Sequence, residues 1–180
     1  VVGAGPVGLI AAIDLALQGI ACVVVDPKTS VSDGSRAICT TKRSLEIIHR
    51  LGAAERMTAR GVTWVRGKVH DGAALIYEQN LRPDGTQKFP GFINLQQYYV
   101  EEFLIDRARE IDGLDLRFGT EAVDIRQDGA GVTVGLDTPE GRYEIRADYV
   151  LACDGGRSAL RRAMDLPFLG RTFEDRFLIA

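Results

Sequence analysis

The stretch VVGAGPVGL at the start of the chain constrains the possible folds more than any other segment. Val1 and Val2 are typical of the end of a buried strand, and the glycines after them have the spacing G-x-G-x-x-G. Residues 6–18 have apolar side chains on one side, which predicts a helix that ends at Gly19. The sequence ACVVVD at 21–26 predicts a second short, buried strand with an acid at its tip. Together these parts predict one βαβ unit.

Each glycine of this unit has a separate physical role. Gly3 allows a tight turn out of the strand, Gly5 lets a pyrophosphate approach where a Cβ would stand, and Gly8 lets the helix and strand pack closely. Phosphates favour the N-terminus of a helix, because the N–H groups there are free and the helix dipole attracts negative charge. We therefore expect a pyrophosphate over Gly5, Pro6 and Val7.

The acid at the tip of the second strand, Asp26, indicates which nucleotide the unit holds. It follows the third glycine by about 20 residues, the spacing at which an acid reaches the ribose. Its carboxylate can accept hydrogen bonds from an adenosine ribose and would repel a 2′-phosphate. We expect FAD or NAD rather than NADP as the tightly held nucleotide. A glycine-rich turn in an ordinary α/β protein is the alternative, but the complete run of features favours a dinucleotide site.

Composition excludes several classes of function. A chain of 180 residues suits one domain, or one domain with a subdomain, and the net charge of −3 argues against a nucleic-acid partner. The sequence has no apolar run near the roughly 20 residues of a membrane span, so we expect none. The cysteines (Cys22, Cys39 and Cys153) and histidines (His49 and His70) lack metal-ligand spacing, so we expect no metal site. Such sparse cysteines are typical of reduced thiols and predict a cytoplasmic protein.

The two ends of the sequence lead to a further expectation. The chain starts without Met, two residues before the first glycine, and its last residues, FLIA at 177–180, are typical of a strand. We expect the sequence to be truncated at both ends.

The rest of the chain alternates between short strands and helices. The predicted elements are a loop at 27–37, helices at 41–51 and 53–59, a hairpin at 62–80, a strand at 92–96, a helix at 97–110, a strand at 114–119, an antiparallel meander at 121–147, a buried strand at 149–153 and a helix from about 157. We expect Trp64 and Tyr77 to be half-buried in the hairpin sheet. This order predicts an α/β fold: a Rossmann-like parallel sheet with an antiparallel three-stranded insertion, plus part of a second, mixed sheet.

Four stretches, in this order, carry a resemblance to a known family. GAGPVGL with VVVD resembles an FAD adenylate site, and SRA at 35–37 resembles a loop whose Arg reaches the flavin side. NLQ at 94–96 resembles a segment whose Gln contacts the cofactor, and YVLACDGGRSALRR at 149–162 resembles the D-G motif. The chain resembles the p-hydroxybenzoate hydroxylase-like, FAD-dependent aromatic hydroxylases. It looks closest to the 3-(3-hydroxyphenyl)propionate and phenol-type hydroxylases.

The resemblance implies roles for particular residues. Asp26 stands where the family often has a Glu, and Arg36 matches the loop Arg. Gln96 matches the cofactor Gln better than Gln97, because it directly follows the predicted strand. The matches to the D-G motif, which supports FAD and transient pyridine nucleotide binding, are Asp154, Gly155 and Arg161.

More ordinary interpretations of the same residues stay open. Arg36 could be a solvated loop arginine, and Gln96 could cap the end of a strand. Asp154 could cap the helix that follows, with or without binding the cofactor. Cys153 stands where the family has a small residue, which favours an apolar filler over a redox thiol.

The resemblance also implies an activity. It implies a monooxygenase with tightly bound FAD, NADH or NADPH as transient co-substrate, and O₂ and a small phenolic substrate, which is hydroxylated through a flavin hydroperoxide. The resemblance is also compatible with a homodimer. The catalytic residues stay unassigned, and the group that activates the phenol is expected beyond residue 180 or in the hairpin at 62–80. The family's later G-D motif is absent from the sequence, so we expect this fragment alone to be inactive.

The resemblance implies a division of the chain. Residues 1–61 would form the FAD-binding βαβ unit with its following helices, and 62–95 part of a substrate-domain sheet. Residues 96–165 would complete the FAD-binding domain, and 166–180 would begin the crossover into the substrate domain. Two other functions compete: a flavoenzyme of the same fold that never inserts oxygen, and a protein that keeps the fold to bind a partner or lipid.

Overall fold

The computed structural model describes residues 1–34, 36–82 and 85–178. These residues form a mixed α/β structure with one parallel and three antiparallel sheets, which confirms the predicted fold class. The helices are α1 (Pro6–Leu17), α2 (Lys42–Arg50), α3 (Ala54–Arg60), α4 (Gln97–Arg109) and α5 (Ala159–Ala163). The strands are β1 (Cys22–Asp26), β2 (Cys39–Thr41), β3 (Val62–Thr63), β4 (Arg66–Asp71), β5 (Ala74–Asn80), β6 (Phe92–Asn94), β7 (Leu114–Phe118), β8 (Glu121–Asp128), β9 (Gly131–Thr138) and β10 (Gly141–Ala147).

The parallel sheet brings distant parts of the chain to one edge. β1 pairs in parallel with β7, and Val2 makes parallel bridges to Val25 on one side and to Ala152 on the other. The order across the sheet is therefore β7, β1, the Val2 segment and the Ala152 segment. Since these segments run in the same direction, the residues that follow each of them meet at the carboxyl edge of the sheet.

Helix α1 completes the predicted βαβ unit and lies over the parallel sheet. Pro6 occupies its first turn, where the fixed φ of proline suits a helix and its missing N–H costs nothing. Leu9 and Ile13 are fully buried against β1, β7 and α4. Burial of each such side chain stabilises the fold by about 1.5–3 kcal/mol.

The helical layer also follows the sequence pattern. In α4 the predicted inward residues Val100, Leu104 and Ala108 are buried, whereas Phe103 is only half-buried. Helix α2 begins after Thr41, whose Oγ1 accepts a hydrogen bond from the Ser44 N–H. These helices join α1 in one hydrophobic core.

The meander was also predicted correctly. β8, β9 and β10 form an antiparallel sheet with β9 in the centre. Its buried residues Val134 and Leu136 pack with Leu160 of α5 and with Val2 and Val25, so a second core joins the meander to the parallel sheet.

The hairpin prediction is only partly right. β4 and β5 form the hairpin, which turns at Gly72 with φ +55°. β3, however, pairs with β6, and β6 also pairs with β2, which the sequence analysis missed. Trp64 is half-buried as expected, but Tyr77 is 56% exposed. The reason is that, in the described part of the chain, β4 and β5 pair only with each other.

The strand predicted at 149–153 is wrong in extent and burial. Of these five residues, only Ala152 bridges to the sheet, where it pairs with Val2. The Val2 N–H donates to the Leu151 carbonyl oxygen, and the Cys153 N–H donates to the Val2 carbonyl oxygen. Tyr149 is 87% exposed and Leu151 41% exposed, because this segment is the outermost one of the parallel sheet among the described residues.

The last segment holds little regular structure. Helix α5 begins two residues later than predicted, with Ser158 as its N-cap. Phe177 and Leu178 are not in a strand, and the other residues of the strand expected at 177–180 lie outside the described part of the chain. Within the described residues, no helix is long and apolar enough to cross a membrane.

Candidate functional site

A cleft of about 750 Å³ lies at the carboxyl edge of the parallel sheet. Its walls come from the glycine loop before α1, the loop after β1, the first turns of α4, the start of β8 and the segment before and within α5. The volume is in the range of small-molecule and cofactor sites, about 300–1,000 Å³. The topology therefore assembles the cleft from parts of the chain that lie far apart in sequence.

Two of the three motif glycines are required by the packing of the protein itself. Gly3 has φ +104°, and a Cβ there would lie 2.4 Å from the Cys153 carbonyl oxygen. A Cβ on Gly8 would lie 1.9 Å from the Gly3 carbonyl oxygen. Both distances are too short for any side chain, so these glycines hold α1 close to the sheet, as the sequence predicted for Gly8.

Gly5 differs from the other two glycines. Its φ of −76° and ψ of 176° suit any residue, and a Cβ there would meet none of the described residues within 4 Å. The fold therefore does not require glycine at this position, which lines the cleft. A glycine with open space in front of it fits a ligand that lies close to the backbone.

The N-terminus of α1 lies directly behind this space. Gly5 is the N-cap residue and has no side chain with which to satisfy the first N–H groups of the helix. Gly3 and Gly5 line the cleft, and Pro6, Val7 and Gly8 follow in the first turn. Free N–H groups and the helix dipole make this end favourable for phosphate.

Asp26 is 9% exposed and holds the glycine loop to the tip of β1. Its Oδ2 accepts a hydrogen bond of 2.7 Å from the Ala4 N–H, and its Oδ1 accepts one of 2.9 Å from the Lys28 N–H. Each carboxylate oxygen can accept more than one hydrogen bond, so a ribose hydroxyl can still be bound. Asp26 thus has a structural role that the sequence argument did not include.

The cleft contains Arg36 and Gln97 but not Gln96. Arg36 lies in the loop after β1, whereas its neighbour Ser35, part of the SRA motif, lies outside the described residues. Gln96 is exposed and is the N-cap of α4, with extended backbone angles. The next residue, Gln97, lines the cleft and donates from Nε2 to Glu101 Oε1 at 2.7 Å.

Sequence reasoning missed a buried pair that forms part of this wall. Ser32 and Glu101 are 4% and 3% exposed, and the carboxylate accepts hydrogen bonds from the Ser32 N–H (2.6 Å) and hydroxyl (2.7 Å). One signal was available in the sequence: Glu101 lies between the inward positions Val100 and Leu104 of α4. A carboxylate on that side of a helix needs a buried partner.

Asp154 and Gly155, from the predicted D-G motif, both line the cleft. Asp154 Oδ2 accepts a hydrogen bond of 3.1 Å from the Leu160 N–H, so the residue does hold the first turn of α5. Its Oδ1 is buried and has no partner among the described residues. An unsatisfied buried acceptor in a cleft indicates a missing donor, such as a ligand hydroxyl.

The charge of Asp154 supports that interpretation. Burial raises the pKa of its carboxyl, but hydrogen bonds from Ser158 and from the Leu160 N–H outweigh burial and hold the pKa below its ordinary value. The carboxyl is therefore ionised at neutral pH and acts only as an acceptor.

Arg161, the predicted D-G arginine, does not line the cleft. Its Nη1 donates to the Leu166 carbonyl oxygen at 2.7 Å, and its guanidinium lies 5.3 Å from the centre of the Phe168 ring. Arg157 and Arg162 line the cleft instead. Adjacent helical positions point in different directions, and the packing of α5 turns Arg162 towards the cleft.

The cleft has the donors and acceptors that a dinucleotide needs. Lys28, Arg36, Arg157 and Arg162 supply positive charge for phosphates, together with the N-terminus of α1. Asp26 and Asp154 can accept hydrogen bonds from sugar or ribityl hydroxyls. The lining residues thus fit FAD in their chemistry.

Metal and thiol chemistry have less support. Across the described residues, no group of three or more His, Cys, Asp or Glu side chains could hold a metal ion. The cleft does contain Cys153, but burial raises the pKa of its thiol. Cys153 lies against Gly3 and Gly8, and with its thiol protonated it acts as a small packing residue, as its position in the sequence suggested.

Comparisons with known proteins point to the same cofactor. A family model described as FAD binding domain matches residues 1–177. Among curated relatives, a 3-(3-hydroxy-phenyl)propionate/3-hydroxycinnamic acid hydroxylase of Paraburkholderia xenovorans is 32% identical over 183 residues, which cover 99% of this chain and 29% of that protein.

Solved structures of similar fold include proteins named as monooxygenases. The p-nitrophenol 4-monooxygenase of Pseudomonas putida matches with a TM-score of 0.89 and 28% identity, over 96% of this chain and 44% of that one. The flavin-dependent monooxygenase PieE, solved with FAD and substrate, matches with a TM-score of 0.80 and 28% identity, over 91% of this chain and 31% of that one. The chain therefore spans less than half the length of these relatives.

These matches confirm the resemblance to FAD-dependent aromatic hydroxylases. The family model covers nearly the whole chain, and the match to the hydroxylase of Paraburkholderia xenovorans covers 99% of it. Both matches therefore include the glycine loop and the D-G segment. The chain belongs to the FAD binding domain family, and it is similar to proteins named as a flavin-dependent monooxygenase and as aromatic hydroxylases.

Proposed function

We propose that this chain is the FAD-binding part of a monooxygenase that hydroxylates a phenolic ring. One observation carries the proposal: the cleft combines open space at Gly5 with a buried, unpaired carboxylate oxygen on Asp154. The fold explains neither feature by itself, and a bound FAD would account for both. Membership of the FAD binding domain family supports the same cofactor.

The lining residues suggest where each part of FAD binds. Asp26 would accept hydrogen bonds from the adenosine ribose, and the pyrophosphate would lie over Gly5 at the N-terminus of α1. Asp154 and Gly155 would contact the ribityl or phosphate side. Arg36 would place positive charge near the flavin.

Of the two neighbouring glutamines, Gln97 is the better candidate for contact with the cofactor, because it lines the cleft. Gln96, which the sequence argument favoured, is exposed at the N-cap of α4. By the same reasoning Arg162 is a better candidate than Arg161.

FAD, when bound, supplies redox and oxygen chemistry that amino-acid side chains lack. The chain's own residues would hold it in place, orient it and keep water from the reacting side. We propose NADH or NADPH as a transient reductant, O₂ as co-substrate and a small phenol as substrate. Relatives named for hydroxyphenylpropionate and nitrophenol support a phenolic substrate, without deciding which one.

The remaining proposals concern organisation and location. Residues 62–95 and 166–180 would belong to a substrate domain that the rest of the protein completes, and residues 1–61 and 96–165 to the FAD-binding domain. Three free cysteines are compatible with a cytoplasmic location.

Labelled oxygen tests the proposed reaction. Full-length protein should bind FAD, oxidise NAD(P)H faster when a suitable phenol is present, and place one atom of labelled O₂ in the ring. Mass spectrometry of products from a panel of phenols and hydroxyphenyl acids measures this. If NAD(P)H is oxidised and no phenol acquires the label, the protein is a reductase or dehydrogenase of the same fold.

A further inference from the structure

One buried carboxylate joins two walls of the cleft. Glu101 of α4 is 3% exposed, and its oxygens accept hydrogen bonds from the Ser32 N–H, the Ser32 hydroxyl and Gln97 Nε2, at 2.6, 2.7 and 2.7 Å. Lys28 Nζ in turn donates to Ser32 Oγ at 3.3 Å. Glu101 therefore connects the loop after β1 with the first turn of α4 across 69 residues of sequence.

Packing alone does not explain a carboxylate at this position. A well-packed apolar residue in place of a buried charge is often neutral or stabilising. The three hydrogen bonds of Glu101 instead fix the orientation of the groups that donate them, since a carboxylate accepts hydrogen bonds and cannot donate them.

That property decides how the Gln97 amide is turned. Because Glu101 only accepts, the Nε2 end of Gln97 must point to it, as observed. The carbonyl oxygen of Gln97 is then left to accept a hydrogen bond from a ligand in the cleft. A neutral amide at position 101 could donate or accept, and the Gln97 side chain could take either orientation.

We propose that Glu101, although it lines the cleft, is a positioning residue for the cofactor: Ser32 and Gln97 already engage both of its buried oxygens, and it acts through these two residues. It holds the Gln97 amide in one orientation and fixes the loop that carries Lys28 and Arg36 against α4. This inference rests on the proposed binding of FAD in the cleft.

Substitution of Glu101 by Gln keeps the size of the side chain and removes its charge. Loss of a hydrogen bond to a charged group corresponds to about a tenfold change in an equilibrium constant or more. We therefore expect E101Q to raise the FAD dissociation constant of the full-length protein about tenfold. The visible absorption spectrum of the bound flavin should also shift, because its hydrogen-bond partners change.

Titration of the apoprotein with FAD, followed by flavin fluorescence, measures the dissociation constants. The variants are E101Q, Ser32→Ala and Gln97→Ala, each alone and combined, and thermal unfolding of each apoprotein checks the fold. Glu102→Gln is the matched control, since Glu102 is the next residue of the same helix and is exposed. It should bind FAD within twofold of the wild type.

A combination of variants tests the route of the effect. In a protein that already carries S32A and Q97A, E101Q should change FAD affinity clearly less than it does in the wild type, because both side-chain donors to Glu101 are gone and only the N–H of residue 32 remains. If E101Q does not fold, S32A and Q97A still test the connection, since their effects should be non-additive when Glu101 links them.

Three results would overturn the inference: wild-type affinity and spectrum in E101Q, a full effect of E101Q in the absence of both side-chain partners, or additive effects of S32A and Q97A. A wild-type protein that binds no FAD would instead overturn the proposed function.

Discussion

The contrast between Gly5 and Gly8 gives the sharpest test of the cleft. Gly5→Val should leave folding of the apoprotein nearly intact, because the backbone at Gly5 suits any residue and its Cβ position is clear of the described residues. An N-cap other than Ser, Thr, Asp, Asn or Gly costs a few tenths of a kcal/mol to about 1 kcal/mol. The branched side chain should, however, occupy the path of the pyrophosphate and abolish FAD binding.

Gly8→Ala should have the opposite effect. Its Cβ would lie 1.9 Å from the Gly3 carbonyl oxygen, a backbone atom that cannot turn away. The helix would have to move off the sheet, at a cost at or above the usual 1–3 kcal/mol or so of overpacking. The apoprotein should therefore unfold at lower denaturant concentration or temperature.

Two measurements on full-length protein separate these effects. Denaturant unfolding of the apoprotein reports the change in the free energy of unfolding, and FAD titration reports affinity. Gly129→Ala serves as a control for loss of a glycine outside the cleft, because its φ is not in the left-handed region and a Cβ there would meet none of the described residues within 4 Å. Wild-type FAD affinity in G5V, or an unchanged unfolding midpoint in G8A, would contradict the geometry on which the site is built.

Three further substitutions test individual lining residues. Asp26→Ala should weaken FAD binding and also lower apoprotein stability by about 1–3 kcal/mol, because the Ala4 and Lys28 N–H groups lose their acceptor; calorimetric titration and thermal unfolding measure the two effects. The folded-state pKa of Asp154 is lowered, so its ionised form stabilises the fold above the ordinary aspartate pKa of about 4, and this contribution is lost as the pH falls through the lower, folded-state value. Unfolding free energies from neutral to acidic pH should therefore fall more steeply for the wild type than for Asp154→Asn, and parallel curves would refute this. Arg162→Ala should weaken FAD binding more than Arg161→Ala, since Arg162 lines the cleft and Arg161 contacts Leu166; equal FAD affinities in the two variants would speak against the assignment.

Several features of the site could be predicted because they depend on residues close together in sequence. The apolar spacing of α1, its end before Gly19 and the glycine spacing all reflect local backbone geometry. The position of an acid at the end of the strand after such a helix also depends only on nearby residues. Asp26 accordingly lies at the expected edge of the sheet.

The choice between neighbouring helical residues needed the tertiary structure. Consecutive residues of a helix point about 100° apart, because a turn contains about 3.6 residues. Which of Gln96 and Gln97, or of Arg161 and Arg162, reaches the cleft depends on how α4 and α5 pack. The sequence pattern identified the right segments, but it could not orient them.

The sequence by itself determined the βαβ unit, its glycine loop and its acid, since short-range sterics and periodicity specify these. Only the tertiary structure decided that Ser32 meets Glu101 and that one oxygen of Asp154 is left unpaired in the cleft. Contacts between residues far apart in the chain depend on how whole layers pack and leave little trace in local sequence. The surroundings of Glu101 and Asp154 are specified at that level.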